Sequence, residues 1–510
     1  MRVAMLSMTA AFSRITRRSV FTTRLLHSSA KMRSVNPRQQ IPAEWLWRIV
    51  DDDGAKPPPK LYAWTPKNLS VGGIGAGTEA HTKSGISDRR EDDVNDNRRR
   101  IYILGIGNIG RLYAICLSKL ASRPPITLVV HRKELLEHWA AEPGIELIRH
   151  GQAHRSADFD VEWWTDVAPS SGEGHVAEVA AGRKIGNIIV ATKASDAMPQ
   201  VDRVRRYLGS DSTVTFAQNG MCKLWPPLGD AYVRARFPDG TGPNWIACVT
   251  THGVTSQGVP FKSVHAAPAN ALVGPVMPSS SNAGEEQMGY LVRQIADAPD
   301  LDARQVSRKE LWVAQLEKLV VNAVINPLTA VLRCKNGELL VVRDGDALPD
   351  VIDKLLSEAS KTLSALILDS NSDEILLSEE SARQERPISS SSSSSSSSAA
   401  AENNPTESLL QTSRKQLLKR FAFPRLRAMV LDVGVKVAAN TSSMLQDVRA
   451  GKQTEVDDFN GWLVDTARLL DKKDKGHLRL PTHEKLIALV KARAELTRGE
   501  LCARLLGEEN

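Results

Sequence analysis

Cysteine is scarce in this chain. Its 510 residues hold five, Cys116, Cys222, Cys248, Cys334 and Cys502, widely spaced, with no CxxC pair and no His/Cys cluster. That excludes a disulfide scaffold and a thiolate zinc site and fits a reducing compartment. Long apolar runs are missing as well. Each run is too short or carries charge, so no membrane-spanning helix is expected. Acidic residues are missing from the amino end. Residues 1–43 contain eight Arg/Lys and no Asp or Glu, and the remainder holds 58 basic against 59 acidic residues. The net charge of +7 is therefore local. A near-neutral body argues against nucleic-acid binding, which needs a basic patch on the fold.

What is present is globular, 42% hydrophobic and 25% charged, and long enough for two or more domains. Residues 1–34 are Arg- and Ser-rich, with Phe12, Ile15, Phe21, Leu25 and Leu26 interleaved with Arg14, Arg17, Arg18 and Arg24. A basic amphipathic stretch of this kind predicts a mitochondrial presequence, the alternative being a basic tail on a cytoplasmic protein. Residues 35–98 read as an extension. The run 41–50 is apolar enough for a short helix, Pro57–Pro58–Pro59 interrupt it, and 66–98 form an exposed linker. The glycines at 72–77 lack both the preceding strand and the following apolar helix of a phosphate loop.

Those two elements do flank the sequence IYILGIGNIGRLYAICLSKL at 101–120. A buried strand runs into Gly105, Gly107 and Gly110, and a helical apolar pattern follows through Leu120. In this context the first glycine makes the turn, the second lets backbone approach a pyrophosphate and the third packs helix on strand. Asn108 and Ile109, opening the helix, then offer their N–H groups to phosphate. The next strand, ITLVV at 126–130, ends at His131–Arg132 with no acidic residue to hold a free ribose 2′-hydroxyl. Arg132 suits a 2′-phosphate instead, which predicts NADP(H). Further strands are expected at 145–148, 161–164, 187–191, 214–217, 245–250, 264–265 and 271–273, the later ones closing the same sheet. Two of them end in polar turns, at Lys193 and at Asn219–Gly220. Lys193 would neutralise a phosphate or a carboxylate. Asn219 is either a ligand of the nicotinamide ribose or substrate, or a plain turn residue. His265 has no partner nearby in sequence and reads as a strand-edge histidine.

Beyond residue 303 the pattern is helical. A largely apolar helix over 309–333, kinked or ended by Pro327, carries Lys318, Asn322 and Asn326 at spacings of four, on one stripe. Either the lysine snorkels and the amides cap neighbours, or the stripe faces a polar cleft. Residues 371–408, with Ser389–Ser398 all serine, read as a disordered insertion. Helices are expected again at 409–418 and 426–440. Ser442 or Ser443 caps a short helix that Gly451 ends. Glu455 opens the next, where it is either dipole-stabilised or a site carboxylate. A last helix is expected over 484–498.

Taken together, these motifs in this order resemble the ketopantoate reductase family, the 2-dehydropantoate 2-reductases, from about residue 101 to 498. The resemblance implies an α/β Rossmann-type domain over 99–300 and an all-helical domain over 303–500, similar to the 6-phosphogluconate dehydrogenase C-terminal type, with the active site between them. It implies NADPH held by Gly105, Gly107, Asn108, Ile109, Gly110, Arg132, Lys193 and Asn219. It also implies Lys318 as catalytic lysine, Asn322, Asn326 and Ser443 on the substrate, and Glu455 on the substrate hydroxyl. The expected activity is reduction of 2-dehydropantoate to (R)-pantoate in pantothenate and coenzyme A biosynthesis. The alternatives are reduction of another branched 2-keto acid, or a non-catalytic mitochondrial factor that keeps the fold. The expected partner is a small 2-keto acid, with no metal and no nucleic acid, and the chain fits a monomer or a homodimer equally.

Overall fold

The strand leading into the glycine turn is buried along its whole length, and its alternate side chains serve two cores. Tyr102 and Leu104 face one, Ile101 and Ile103 the other. Such a strand needs neighbours on both edges and cover on both faces. The structure, a computed structural model, describes residues 46, 58–69, 96–170, 176–238, 240–277, 282–342, 344–384, 405–471 and 477–507. Residues 1–34, the glycines at 72–77 and the serines at 389–398 lie outside them.

The strands are β1 (Tyr62–Trp64), β2 (Ile101–Leu104), β3 (Ile126–Val130), β4 (Ile145–Arg149), β5 (Gln152–Ser156), β6 (Asp160–Thr165), β7 (Ala177–Glu178), β8 (Asn187–Val190), β9 (Thr213–Phe216), β10 (Asn244–Thr250), β11 (Gly253–Ser256), β12 (Lys262–Ala267), β13 (Ala271–Pro275) and β14 (Ala303–Gln305). A ten-stranded sheet has the order β14-β13-β10-β9-β8-β2-β3-β6-β1-β7, and the six strands from β10 to β6 pair in parallel. The chain winds outward from β2 through β3 to β6, then returns to β8 and winds the other way. The reversal lies between β2 and β8, where an open α/β sheet of the Rossmann type binds its ligand.

Two expectations about the sheet need correction. The strand at 264–265 does not close it, and the one at 145–148 lies outside it as well. With β5 and β11 they form a separate four-stranded sheet, β11-β12-β4-β5. The extension over 35–98 also contributes to the sheet, ahead of the linker expected at 66–98, of which residues 70–95 lie outside the described ones. β1 pairs antiparallel with both β6 and β7, and the Tyr207 hydroxyl bonds both backbone groups of Leu61. Leu46 and Leu61 are buried in the main core. Nothing in the linker-like composition signalled this strand of three residues.

The helices are α1 (Pro66–Leu69), α2 (Asn108–Ser118), α3 (Lys133–Ala141), α4 (Ala194–Val204), α5 (Leu228–Arg236), α6 (Asn282–Ala296), α7 (Arg308–Leu332), α8 (Leu348–Leu368), α9 (Asp373–Gln384), α10 (Pro405–Arg420), α11 (Phe423–Lys436), α12 (Ser443–Arg449), α13 (Trp462–Leu470), α14 (Pro481–Lys491) and α15 (Arg498–Leu506). From α7 onward the described residues are helical, and no described helix is long and apolar enough to cross a membrane. Buried residues of α7 and α8 join one face of the sheet in a continuous core.

A capping box of Ser307 and Glu310 opens α7. The helix expected over 309–333 is there, and Pro327 does not end it: α7 runs on through it. A proline lacks the N–H that the Ala323 carbonyl would take, and the Asn460 side-chain amide supplies one at 2.8 Å. The segment at 371–408 is partly folded, since α9 buries Ile375 and Leu376 in the core. The helix expected over 484–498 stops early: α14 ends at Lys491, Arg493 takes the left-handed region, and a separate helix, α15, starts at Arg498 behind its cap Thr497.

Candidate active site

Gly105 takes a left-handed φ of +97°, and a Cβ there would sit 2.9 Å from the Thr192 backbone nitrogen. A Cβ on Gly110 would come within 2.1 Å of the Gly105 carbonyl oxygen. Both positions are closed to any side chain. At Gly107 the opposite holds, with no atom within 4 Å of a built Cβ. This glycine caps α2 without a side-chain bond, which leaves room beside the start of the helix for a pyrophosphate. Asn108 is tied down from outside. Its amide bonds the Val254 carbonyl and accepts from the Ser263 hydroxyl, each at 3.2 Å. Arg111 of the same helix reaches the Lys262 carbonyl and Ser263, so the small sheet braces the turn. Ile109 follows in the first turn of α2. Arg132 lies two residues past the end of β3 and caps α3; it is exposed, with a loose pairing to Glu134 at 3.9 Å, which leaves the guanidinium available.

The helical half brings in Lys318. Its ammonium donates to Asn219 Oδ1 at 2.9 Å and to the Thr250 carbonyl at 2.5 Å, straddling the carboxyl ends of β9 and β10. Both bonded acceptors are neutral. Burial lowers the lysine pKa to about 8, with Glu455 pulling weakly the other way. Asn322, half-buried, and Asn326, buried, follow along α7. Asn326 meets the Ser443 hydroxyl at 3.4 Å, and Ser442, which caps α12, bonds Thr329 at 2.7 Å. The serine pair thus docks the start of α12 against α7.

Glu455 is buried, and burial raises its pKa. Lys193 and the Ala194 N–H oppose that shift, while Asp458 and Asp447 add to it. Its carboxylate accepts from the Ala194 N–H at 3.5 Å, at the start of α4. Lys193 does not point to an open phosphate position. It crosses to the helical half, pairing with Asp447 at 2.7 Å and with the Gln453 carbonyl. Asn219 is likewise engaged with Lys318. Lys318, Asn219, Lys193 and Glu455 thus line the seam between the halves, and Asn326 with Ser443 ties α7 to α12 beside it.

Sequence reasoning missed Asp447 and the Thr250 carbonyl. Neither stands in a distinctive pattern, and a backbone acceptor leaves no mark in sequence. It also missed the partner of His265, which donates to His252 Nδ1 at 3.0 Å. A cavity of about 900 Å³ lies to one side, lined by Lys223, Trp225, Asp458 and Trp462 among others, and it excludes Lys318 and Glu455. A narrow recess at Lys318 itself is lined by Gln218, Gly220, Cys248 and Gln315. Among the described residues no group of His, Cys, Asp and Glu could hold a metal ion.

Two family models match the chain, ketopantoate reductase PanE/ApbA over residues 101–278 and its C-terminal counterpart over 310–494. A ketoisovalerate reductase of Gibberella fujikuroi is 42% identical over 471 residues, covering 91% of this chain and 98% of that protein. One from Beauveria bassiana is 39% identical over 483 residues, covering 91% and 98%. A probable 2-dehydropantoate 2-reductase of Schizosaccharomyces pombe is 26% identical over 422 residues, covering 79% and 99%. Among solved structures, a probable 2-dehydropantoate 2-reductase of Bacillus subtilis matches at 22% identity and a TM-score of 0.49, covering 77% of this chain and 99% of that one.

Proposed function

This chain belongs to the ketopantoate reductase family of oxidoreductases, and we propose that it reduces a branched 2-keto acid, ketoisovalerate, with NADPH. One observation carries the chemistry, namely the Lys318 ammonium held by Asn219 and the Thr250 carbonyl at the carboxyl edge of the sheet. The choice of substrate leans on the two ketoisovalerate reductases that match almost the whole chain. It replaces the 2-dehydropantoate expectation as the leading reading.

Gly105, Gly107 and Gly110, with the N–H groups of Asn108 and Ile109, would hold the pyrophosphate, and Arg132 the 2′-phosphate. When bound, the reduced nicotinamide supplies hydride to C2 of the keto acid. As the ketone oxygen gains charge, Lys318 stabilises it and gives it a proton, yielding the 2-hydroxy acid. The lysine then recovers a proton from solvent. A pKa near 8 leaves it charged at neutral pH yet able to release that proton. Asn322, Asn326 and Ser443 would bind the substrate carboxylate. Lys193, paired with Asp447, would clasp the two walls of the site together.

A second reading, 2-dehydropantoate as substrate, is favoured by Glu455. It is a buried acceptor on the seam, suited to a 4-hydroxyl that ketoisovalerate lacks. NADPH oxidation by purified protein with each keto acid tests the choice. A kcat/KM at least about tenfold higher for ketoisovalerate, roughly 1.4 kcal/mol in transition-state binding, supports the first reading, and the reverse ratio establishes the second. Residues 1–34 we propose as a mitochondrial import signal, to be tested by loss of organellar import when they are removed.

A further inference from the structure

We propose that Asn460 is a positioning residue for this site: its side-chain amide stands in for the backbone N–H that Pro327 lacks, and so fixes the catalytic helix against the segment that carries Glu455. The inference rests on the functional reading above for what is being positioned.

Helix α7 holds Lys318, Asn322 and Asn326 on the amino side of Pro327. The carbonyl that Pro327 cannot serve is that of Ala323, which lies between Asn322 and Asn326. An unserved carbonyl in a helix interior is where helices kink, and a kink here would fall in the turn that carries Asn322 and Asn326. Asn460 meets this carbonyl at 2.8 Å and is fully buried.

The orientation of the amide is determined by its partners. Asn460 Nδ2 also lies 2.9 Å from His483 Nδ1, and His483 Nε2 lies 3.1 Å from the Leu355 carbonyl. A histidine donating through Nε2 to Leu355 presents Nδ1 as an acceptor. Both amide hydrogens of Asn460 are then used, one on Ala323 and one on His483. A flipped amide would set oxygen against both acceptors. The cost is visible at Asn460 Oδ1, which is buried and has no partner. A group that forgoes one hydrogen bond to make two others at a fixed angle is a constraint rather than filler.

The backbone around Asn460 also departs from the ordinary helix. Asp457–Gly461 form a π-helical turn, whose wider winding turns a residue to where an α-helix would not place it. The Glu455 carbonyl accepts the N–H groups of Asp458 and Phe459 and so starts this turn. The carboxylate on the seam and the amide that reaches α7 are therefore five residues apart on one hydrogen-bonded segment. The tether joins Lys318 and Glu455 mechanically, although neither touches Asn460.

The experiment compares wild type, Asn460→Leu, Pro327→Ala and the double variant. Leucine leaves the Ala323 carbonyl unserved. Alanine at 327 restores the helical N–H, so the double variant recovers the bond by another route. For Asn460→Leu, kcat for keto acid reduction should fall about 10²-fold, the penalty of a misplacement near 1 Å, with the Kd for NADPH within about twofold of wild type, the cofactor turn lying in the other half. In the double variant at least about tenfold of that loss should return, a coupling expected of groups sharing one acceptor. Full kcat in Asn460→Leu, or a double variant no faster than Asn460→Leu, overturns the proposal. Hydrogen exchange across 322–332 is read in parallel and should rise in Asn460→Leu and recover in the double variant. If wild type reduces neither keto acid, the functional reading fails. The exchange data then decide the tether alone, and unchanged exchange would end it too.

Discussion

Two lysines meet at the seam between the halves, and they are held in opposite ways. Lys193, leaving the nucleotide half, crosses to a carboxylate, Asp447, and to a carbonyl. Lys318, leaving the helical half, crosses to an amide oxygen and a carbonyl, and burial lowers its pKa to about 8. A carboxylate partner anchors a cation across a gap by charge, whereas neutral acceptors hold an ammonium in place while leaving it able to give up a proton. The first arrangement suits a clasp between lobes and the second suits an acid.

The sharpest way to break this contrast is to remove each cation in turn. Lys318→Ala should lower kcat by about 10³-fold, the scale of a lost general acid that also stabilises charge, while NADPH still binds by fluorescence titration. Equal loss of binding and turnover would make Lys318 structural. Lys193→Met should instead raise KM for the keto acid about tenfold and change kcat less, the pattern of lost uniform binding. An effect as large as that at Lys318 would erase the distinction between them.

The acid role has a direction in pH. In the proposed mechanism protonated Lys318 is the working form, so kcat should be level below pH 8 and fall above it. Replacing Asn219 by Leu removes an acceptor from the charged form, which should move that limb to lower pH. A limb that stays put would show that Asn219 only orients. On the cofactor side, Arg132→Ala should weaken NADPH by about tenfold, the worth of a hydrogen bond to a charged group, with NADH unchanged.

The smallest expected effect lies in the histidine pair behind the site. Burial lowers the His265 pKa to about 4, with His252 and Arg149 adding to the shift and Asp300 opposing it. The unfolded chain binds that proton more readily. The contribution of His265 to stability is therefore full above its ordinary pKa of 6.5 and drains away as pH falls toward 4. Thermal melts of wild type and His265→Gln should converge over that window, and parallel curves would contradict it.

The features readable in sequence were those whose cause is local. The glycine turn announces itself because a strand, three glycines and a helix must be contiguous. The stripe Lys318, Asn322, Asn326 is visible because helical spacing aligns it. What escaped notice depends on distant partners. Pro327 reads as a break until Asn460, 137 residues from Ala323 in sequence, supplies the donor that the Ala323 carbonyl lacks. Lys193 reads as a free cation until folding brings Asp447 to it. The strands at 145–148 and 264–265 carry the right residues for a sheet and no indication of which sheet they join. His265 lacked a neighbour in sequence and found one across a turn.

The short strand Tyr62–Trp64 fills a slot between two others, which makes the chain ahead of the glycine turn part of the wall rather than an approach to the door. Trim the protein to begin at residue 99 and both flanking strands lose their shared neighbour, the Tyr207 hydroxyl loses Leu61, and bare amides are offered to any passing chain. A fragment cut that short would clump on purification, whereas one beginning at residue 41 keeps the slot filled.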